Sequence, residues 1–421
     1  MAVLEFIDYA PMVPHVEDGK VRWSVDPVVA AIKGLPQIFW SNGAPWSEAN
    51  HWALTKSREV SGRDLETLKS LMKHLKAYAS WLEVETIDWR HFPMRKEGRA
   101  VVRFRKALMA KIEANELAAS TAKARMAAAI QFYRHAQRYG FVDQRSVMWH
   151  DRSVLVSYHD TLGFERTLLR ISSELSIPNK SRSSLRVEDG LTPLSDKDAH
   201  SLLHFSKEQG PQELNLMLSL GVLTGARIGT IVTLGVKDIE GAHADPQVPD
   251  MYLLRIGPGT TVSTKFDVAG ELSVPKFLLD RLKEYAYSEQ RLKRQGRASK
   301  ADRGLLFLTT RARSYETSSV RRLLTDLRRR AVGAGLKFMK SFKFHQTRAT
   351  YGTWLMQVAL KVTSVSAAVA FVKAAMMHAK EATTFLYVRF IEQTKVKVQV
   401  ANEFTAVFSG VVNRDWKQYG A

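Results

Sequence analysis

The stretch KFHQTRATYGTW at residues 343–354 places His345 and Arg348 three positions apart. On a helix, residues at i and i+3 share a face, so this imidazole and guanidinium could converge on one phosphate. A satisfied core histidine beside a surface arginine is the ordinary alternative, and the stretch taken alone favours it. Its meaning therefore depends on what lies elsewhere in the chain.

A second stretch, MMHAKEATTFLYVR, follows at residues 376–389. In it His378 lies nine residues before Tyr387. The tyrosine is in the aromatic and aliphatic run FLYV, which by itself is typical of a buried core position.

Upstream, residues 223–234 read LTGARIGTIVTL. A turn at Gly225 is predicted to place Arg227 at the start of a helix, where its fork of donors could bind a phosphate. Alone this signal is weak, because most arginines outside a known site are solvated or paired.

Between these stretches, VSTKFDVAGELSVP at residues 262–275 holds Lys265. We predict strands at Met251–Ile256, Thr260–Thr264 and Glu271–Val274, with Lys265 at the tip of a hairpin formed by the last two. An ammonium group held there could donate a proton to a leaving oxygen. An exposed turn lysine is the local alternative.

Taken in this order, the four stretches resemble the tyrosine recombinases, the phage-integrase type of site-specific recombinase. The family pattern is T-G-x-R, a hairpin lysine, H-x-x-R, and a His or Trp nine residues before a nucleophilic Tyr. The resemblance covers about residues 190–400. The chain departs from the family at Thr230, where Glu is frequent, and at Met376 and Met377, where Leu-Gly is common.

The resemblance implies an enzyme that cleaves and rejoins DNA without ATP, metal or another cofactor and that mobilises a genetic element. Tyr387 would attack the scissile phosphate to give a 3′-phosphotyrosyl bond, and Lys265 would protonate the 5′-oxygen. The arginines would clamp the non-bridging oxygens, and the histidines would position the phosphate or assist proton transfer. The implied catalytic residues are Arg227, Lys265, His345, Arg348, His378 and Tyr387.

The composition agrees with an anionic partner. There are 62 Lys and Arg against 42 Asp and Glu, a net charge of +20, and Arg281–Thr350 alone holds 19 basic and 5 acidic residues. Such a block favours DNA or RNA as partner, with a solvated surface as the alternative. The absence of Cys excludes disulfides and a cysteine nucleophile. Without a Walker motif, a zinc motif or an acidic cluster, two options remain: passive binding, or phosphodiester chemistry through a covalent intermediate.

The expected partners are double-stranded DNA, further copies of the chain in a synaptic homotetramer, and possible accessory proteins that set the direction of recombination. The N-terminus has no signal-peptide pattern, and the apolar stretch Leu214–Ala226 is too short to span a membrane. A cytoplasmic protein is expected.

The fold expected is mainly α with a small β-sheet: a helical core-binding domain and a mixed α/β catalytic domain that together clamp DNA. Helices are predicted at Asp64–Leu82, Gly98–Leu117 and Ser120–Tyr139, Asn179–Gly190 reads as a polar linker, and Arg291–Arg303 reads as a mobile charged loop. The predicted divisions are an irregular N-terminal extension (1–45), the core-binding domain (46–150), a linker (151–190), the catalytic domain (191–400) and a C-terminal tail (401–421). The tail is a candidate for docking on a neighbouring protomer, with packing on its own domain as the alternative.

Two other functions remain open from the sequence. A type IB topoisomerase or a hairpin-forming telomere resolvase would use similar Arg, Lys and Tyr chemistry. The second is a DNA-binding accessory protein whose catalytic site is inactive, although the six filled catalytic positions argue against loss of activity.

Overall fold

The computed structural model describes residues 1–59, 65–159, 165–178 and 187–412. The chain divides into two units, Met1–Ser181 and Arg182–Ala421. Helices dominate and the sheets are small, which confirms the predicted fold class.

The first unit combines short antiparallel strand pairs with a group of helices. Strand β1 pairs with β4, β2 with β3, and β5 with β6. Its elements in chain order are β1 (Val3–Tyr9), β2 (Met12–Glu17), β3 (Lys20–Val25), β4 (Ile32–Phe39), α1 (Ser47–Arg58), α2 (Leu65–Val84), α3 (Ala100–Glu113), α4 (Ala119–Arg138), β5 (Asp151–His159) and β6 (Glu165–Ser173).

The expectation that the first 45 residues are irregular was wrong. Pro14 lies inside β2 opposite Trp23, and Pro36 lies inside β4 opposite Phe6. Each sheet here has two strands, so every strand has an edge at which a missing N–H breaks no ladder bond. Proline therefore failed as a sign of irregular structure.

The helices of the first unit follow the predicted periodicity, with shifted ends. Helix α4 begins at Ala119, one residue before the predicted start, after Ala118, which makes no side-chain cap. The helix ends before Gly140, whose φ of +73° suits the left-handed turn that follows. The core between these helices is aromatic, with Trp46, Trp52, Tyr78, Phe132 and Tyr133 at most 1% exposed.

The second unit is built from helices around one three-stranded antiparallel sheet of order β7-β8-β9. Its elements are α5 (Asp196–Gln209), α6 (Gln212–Thr224), α7 (Ile228–Val232), α8 (Val236–Glu240), β7 (His243–Ala244), β8 (Met251–Ile256), β9 (Gly270–Pro275), α9 (Lys276–Ala286), α10 (Glu289–Arg297), α11 (Thr317–Gly333), α12 (Gln346–Val362), α13 (Val365–Ala375) and α14 (Glu381–Val412).

The predicted strand Thr260–Thr264 is absent, because residues 257–269 form the connection between β8 and β9. Lys265 begins a short 3-10 turn, Lys265–Asp267, within this connection. It therefore lies in a loop, not at the tip of the predicted hairpin.

The prediction of a mobile loop at Arg291–Arg303 is also wrong, since α10 occupies most of this segment. Arg291 and Arg294 are 2% and 6% exposed. Arg291 donates to several backbone carbonyls, and Arg294 donates to Glu213 and to the carbonyl of Leu308. These arginines are structural, although their charge pattern resembles that of a solvated segment.

Replacement of Arg294 by Met should destabilise the second unit strongly. Among the described residues, the variant leaves the buried carboxylate of Glu213 with only the Tyr285 hydroxyl as donor. Loss of one partner of a buried ion pair costs about 3–5 kcal/mol. The matched variant Lys293→Met removes an exposed pair with Glu289 and should cost under about 0.5 kcal/mol in urea unfolding. Equal losses in the two variants would contradict the structural role.

Two predicted segments lie partly outside the described residues. Of the linker predicted at 151–190, residues 160–164 and 179–186 fall outside. Val187 and Glu188 are only 2% and 7% exposed, unlike a solvated linker. Of the tail, 413–421 falls outside the described residues, so its docking on a neighbouring protomer stays a prediction. Among the helices described, none is long and apolar enough to span a membrane.

Candidate active site

The T-G-x-R stretch forms the predicted turn and places Arg227 at the start of α7. Gly225 ends α6 with a φ of +67°, and a Cβ there would lie 2.4 Å from the Tyr351 ring. Only glycine meets both conditions without strain. The Arg227 side chain emerges two residues later, at the N-cap position of α7.

Helix α12 supplies the predicted His345 and Arg348. His345 occupies the N-cap position, and Arg348 follows in the first turn. The Arg348 guanidinium is 2% exposed and donates to the carbonyls of Gly225 (2.7 Å) and Met376. These two bonds tie Arg348 to the T-G-x-R turn and to the end of α13.

The turn between α13 and α14 places His378 beside Tyr387. Their rings are nearly parallel, at 13° and with centroids 6.1 Å apart. The His378 Nδ1 lies 2.9 Å from the Thr384 hydroxyl, which orients the imidazole. Tyr387 is 0% exposed.

These side chains converge on one carboxylate, that of Glu188. Four groups hydrogen-bond to it, and a fifth, the His345 Nε2, lies 3.8 Å from its Oε1. Because a carboxylate only accepts, the His378 Nε2 carries a proton. The four donors are Arg227 Nη2 to Oε1 (3.1 Å) and, to Oε2, Arg348 Nε (3.0 Å), His378 Nε2 (3.1 Å) and Tyr387 Oη (3.2 Å).

The environment changes the acidity of these groups. Burial alone would raise the pKa of Glu188, but the hydrogen bond from His378 and the charges of Arg348 and Arg227 outweigh it and hold that pKa well below its usual range. Burial, and then the charge of Glu188, raise the pKa of Tyr387 well above its usual range. The cluster is therefore an anion-binding site that faces a protonated phenol.

Lys265 is close to this cluster but is not among the groups bonded to Glu188. It lines a small cavity together with Arg227, Thr230 and Arg348. Its Nζ lies 5.2 Å from the centre of the Phe266 ring. The structure thus gathers five of the six predicted residues on one anion and places the sixth beside two of them.

Gly352 is required for the position of Tyr387. A Cβ at this residue of α12 would lie 2.8 Å from Cε1 and Cζ of Tyr387 and from Cε of Met376. Gly352→Ala should displace the phenol, cost about 1–3 kcal/mol of unfolding free energy, and reduce any Tyr387 chemistry. Gly333→Ala, at the end of α11 with open space around it, should leave that chemistry unchanged. Denaturant unfolding and a covalent DNA-adduct assay measure both effects, and an active, stable Gly352→Ala would contradict this account.

Glu188 is the site residue that the sequence did not reveal. It lies 39 residues before Arg227 and 199 before Tyr387, in a polar stretch with no spacing relation to either. The only local signal is the flanking pair of apolar residues Val187 and Leu191, which is too common to be informative.

Part of this chain is similar to a known protein family, and its fold is similar to solved structures. Residues 193–393 match the model of the phage integrase family. The integrase of transposon Tn1549, in complex with transposon right end DNA, matches with a TM-score of 0.50 and 12% identity over 81% of this chain and 94% of that chain. A lambda integrase dimer bound to a COC′ core site matches with a TM-score of 0.49 and 15% identity, over 81% and 94% of the two chains. Comparison with functionally curated proteins found no significant match.

The Tn1549 match shows that the protein has the fold of an integrase. The family match covers residues 193–393, and this segment contains all the predicted catalytic residues: Arg227, Lys265, His345, Arg348, His378 and Tyr387. This segment takes up just under half of the chain, and it is similar to the phage integrase family of tyrosine recombinases.

Proposed function

We propose that the protein is a site-specific recombinase that cleaves and rejoins duplex DNA through a 3′-phosphotyrosyl intermediate and mobilises a genetic element. The observation that carries the proposal is the convergence of a tyrosine, two arginines and two histidines on one anion. A phosphodiester is the anion that such a donor set would bind, and the hydroxyl is the group that could attack it.

In the proposed reaction, the Tyr387 oxygen forms a bond to phosphorus as the bond from phosphorus to the 5′-oxygen breaks. Lys265 gives a proton to that oxygen, and His345 assists removal of the phenol proton. Arg227 and Arg348 bind the non-bridging oxygens, where charge increases in the transition state. The tyrosyl ester conserves the bond energy, so a 5′-hydroxyl of another strand can reverse the step without ATP.

Duplex DNA is the proposed substrate, in keeping with the net charge of +20. A homotetramer would bring two DNA partners together for exchange, with accessory proteins setting its direction. The homotetramer and the accessory proteins are both proposals from the family resemblance.

The test is a suicide substrate: a nicked duplex that carries DNA flanking the element encoding this protein. We expect a covalent protein–DNA adduct on a denaturing gel in EDTA without ATP. Relaxation of supercoiled plasmid without site preference would favour a topoisomerase, and closed hairpin products would favour a telomere resolvase. Tight, salt-sensitive binding without an adduct would favour the DNA-binding accessory protein.

A further inference from the structure

Glu188 occupies the point at which the substrate phosphate would bind. Its two oxygens divide the donors as two non-bridging phosphate oxygens could: Oε1 accepts from Arg227, and Oε2 accepts from Arg348 and His378. The Tyr387 hydroxyl, which would attack phosphorus, donates to the same carboxylate. A carboxylate and a phosphodiester are both singly charged, acceptor-only anions, so they compete for one set of donors.

Burial makes this competition exclusive. Glu188, His378, Arg348 and Tyr387 are 7%, 6%, 2% and 0% exposed. A DNA phosphate cannot reach the Tyr387 oxygen while the carboxylate fills the space between the donors.

The contact also acts against the nucleophile. Burial, and then the nearby charge of Glu188 and the hydrogen bond to it, raise the pKa of Tyr387. A phenol that donates to a fixed carboxylate is held in its protonated form. Glu188 therefore both fills the site and opposes formation of the phenolate.

Glu188 is carried by a small turn that could move as one piece. The Val187 N–H donates to the Leu191 carbonyl (2.9 Å), and the Gly190 N–H donates to the Val187 carbonyl (3.0 Å). Val187 packs in the same apolar cluster as Tyr387. The turn comes at the start of the second unit, a few residues after the division at Ser181.

We propose that the Val187–Leu191 turn inhibits the free protein, with Glu188 standing in for the scissile phosphate until DNA displaces it. This inference rests on the proposed recombinase function. The competing account is that Glu188 stays in place during the reaction and supplies the carboxylate that this chain lacks at Thr230. The two accounts predict opposite effects of removing the charge.

The first measurement is the rate of adduct formation on the suicide substrate. Glu188→Gln and Glu188→Ala should form the Tyr387 adduct about tenfold faster than wild type, because the site-open state is no longer a minor population. The matched control is Glu289→Gln, which removes a carboxylate that is 81% exposed and should leave the rate unchanged. A slower adduct in the Glu188 variants would overturn the proposal in favour of a positioning residue, and an equal rate would overturn it as well.

The second measurement does not require DNA chemistry. Inorganic phosphate should raise the thermal unfolding temperature of Glu188→Ala more than that of wild type, because it can fill the vacated anion site. Equal shifts in the two proteins would overturn the proposal. If no protein forms an adduct, the recombinase function fails, and the phosphate titration still decides whether Glu188 blocks an anion site. A variant that does not fold without phosphate but folds with it counts as support.

Discussion

Tyr387→Phe should abolish the covalent protein–DNA adduct while leaving DNA binding unchanged. The proposed reaction uses the phenol oxygen as the nucleophile, and phenylalanine has no atom that can replace it. Because the ring is fully buried and keeps its packing, the variant should fold. It loses one hydrogen bond to a charged acceptor, worth about 1.5–3 kcal/mol.

Tyr287→Phe is the matched control, since Tyr287 is 57% exposed and lies outside the site. It should form the adduct at the wild-type rate. The same pair can be made in the Glu188→Gln background, where a faster adduct gives a larger signal. An adduct that persists in Tyr387→Phe would mean that another tyrosine is the nucleophile.

Spacing within one element could be predicted because it is local. Gly225 requires a left-handed turn, and this fixes Arg227 at the start of the next helix whatever the rest of the fold does. His345 and Arg348 share the first turn of one helix for the same reason. The family resemblance then related these separate stretches to one another. The family match and the fold confirm that resemblance.

The features that the sequence did not reveal depend on packing between distant segments. Glu188 becomes a site residue only because its turn folds against α12 and α14, and no periodicity records that contact. The segment around Arg291 and Arg294 resembles a solvated charged loop in sequence. In the structure both side chains are buried and bonded to backbone carbonyls or to Glu213, and the residue pattern does not predict these distant partners. Charge predicts exposure on average and fails where a partner is buried with it.

Arg348→Met should combine a loss of cleavage with a large loss of stability. Removal of one donor to a developing oxyanion typically costs about 10²–10³ in rate. In the free protein, Arg348 is buried and bonded to Glu188, Gly225 and Met376, so its removal leaves a buried carboxylate poorly compensated. We expect unfolding free energy to fall by about 3–5 kcal/mol in urea titration.

Arg227→Met separates the two effects. Its side chain is 24% exposed and makes one bond to Glu188, so its loss should cost about 1 kcal/mol while cleavage falls as far as in Arg348→Met. Adding Glu188→Gln to Arg348→Met removes the uncompensated charge and should recover part of the lost stability, whereas cleavage should stay far below that of wild type. That asymmetry follows because the carboxylate and the DNA phosphate use the same guanidinium in different states of the protein. Strictly additive losses of stability in the double variant would mean that Arg348 and Glu188 do not depend on one another, and the account of the site as one shared anion-binding cluster would be wrong.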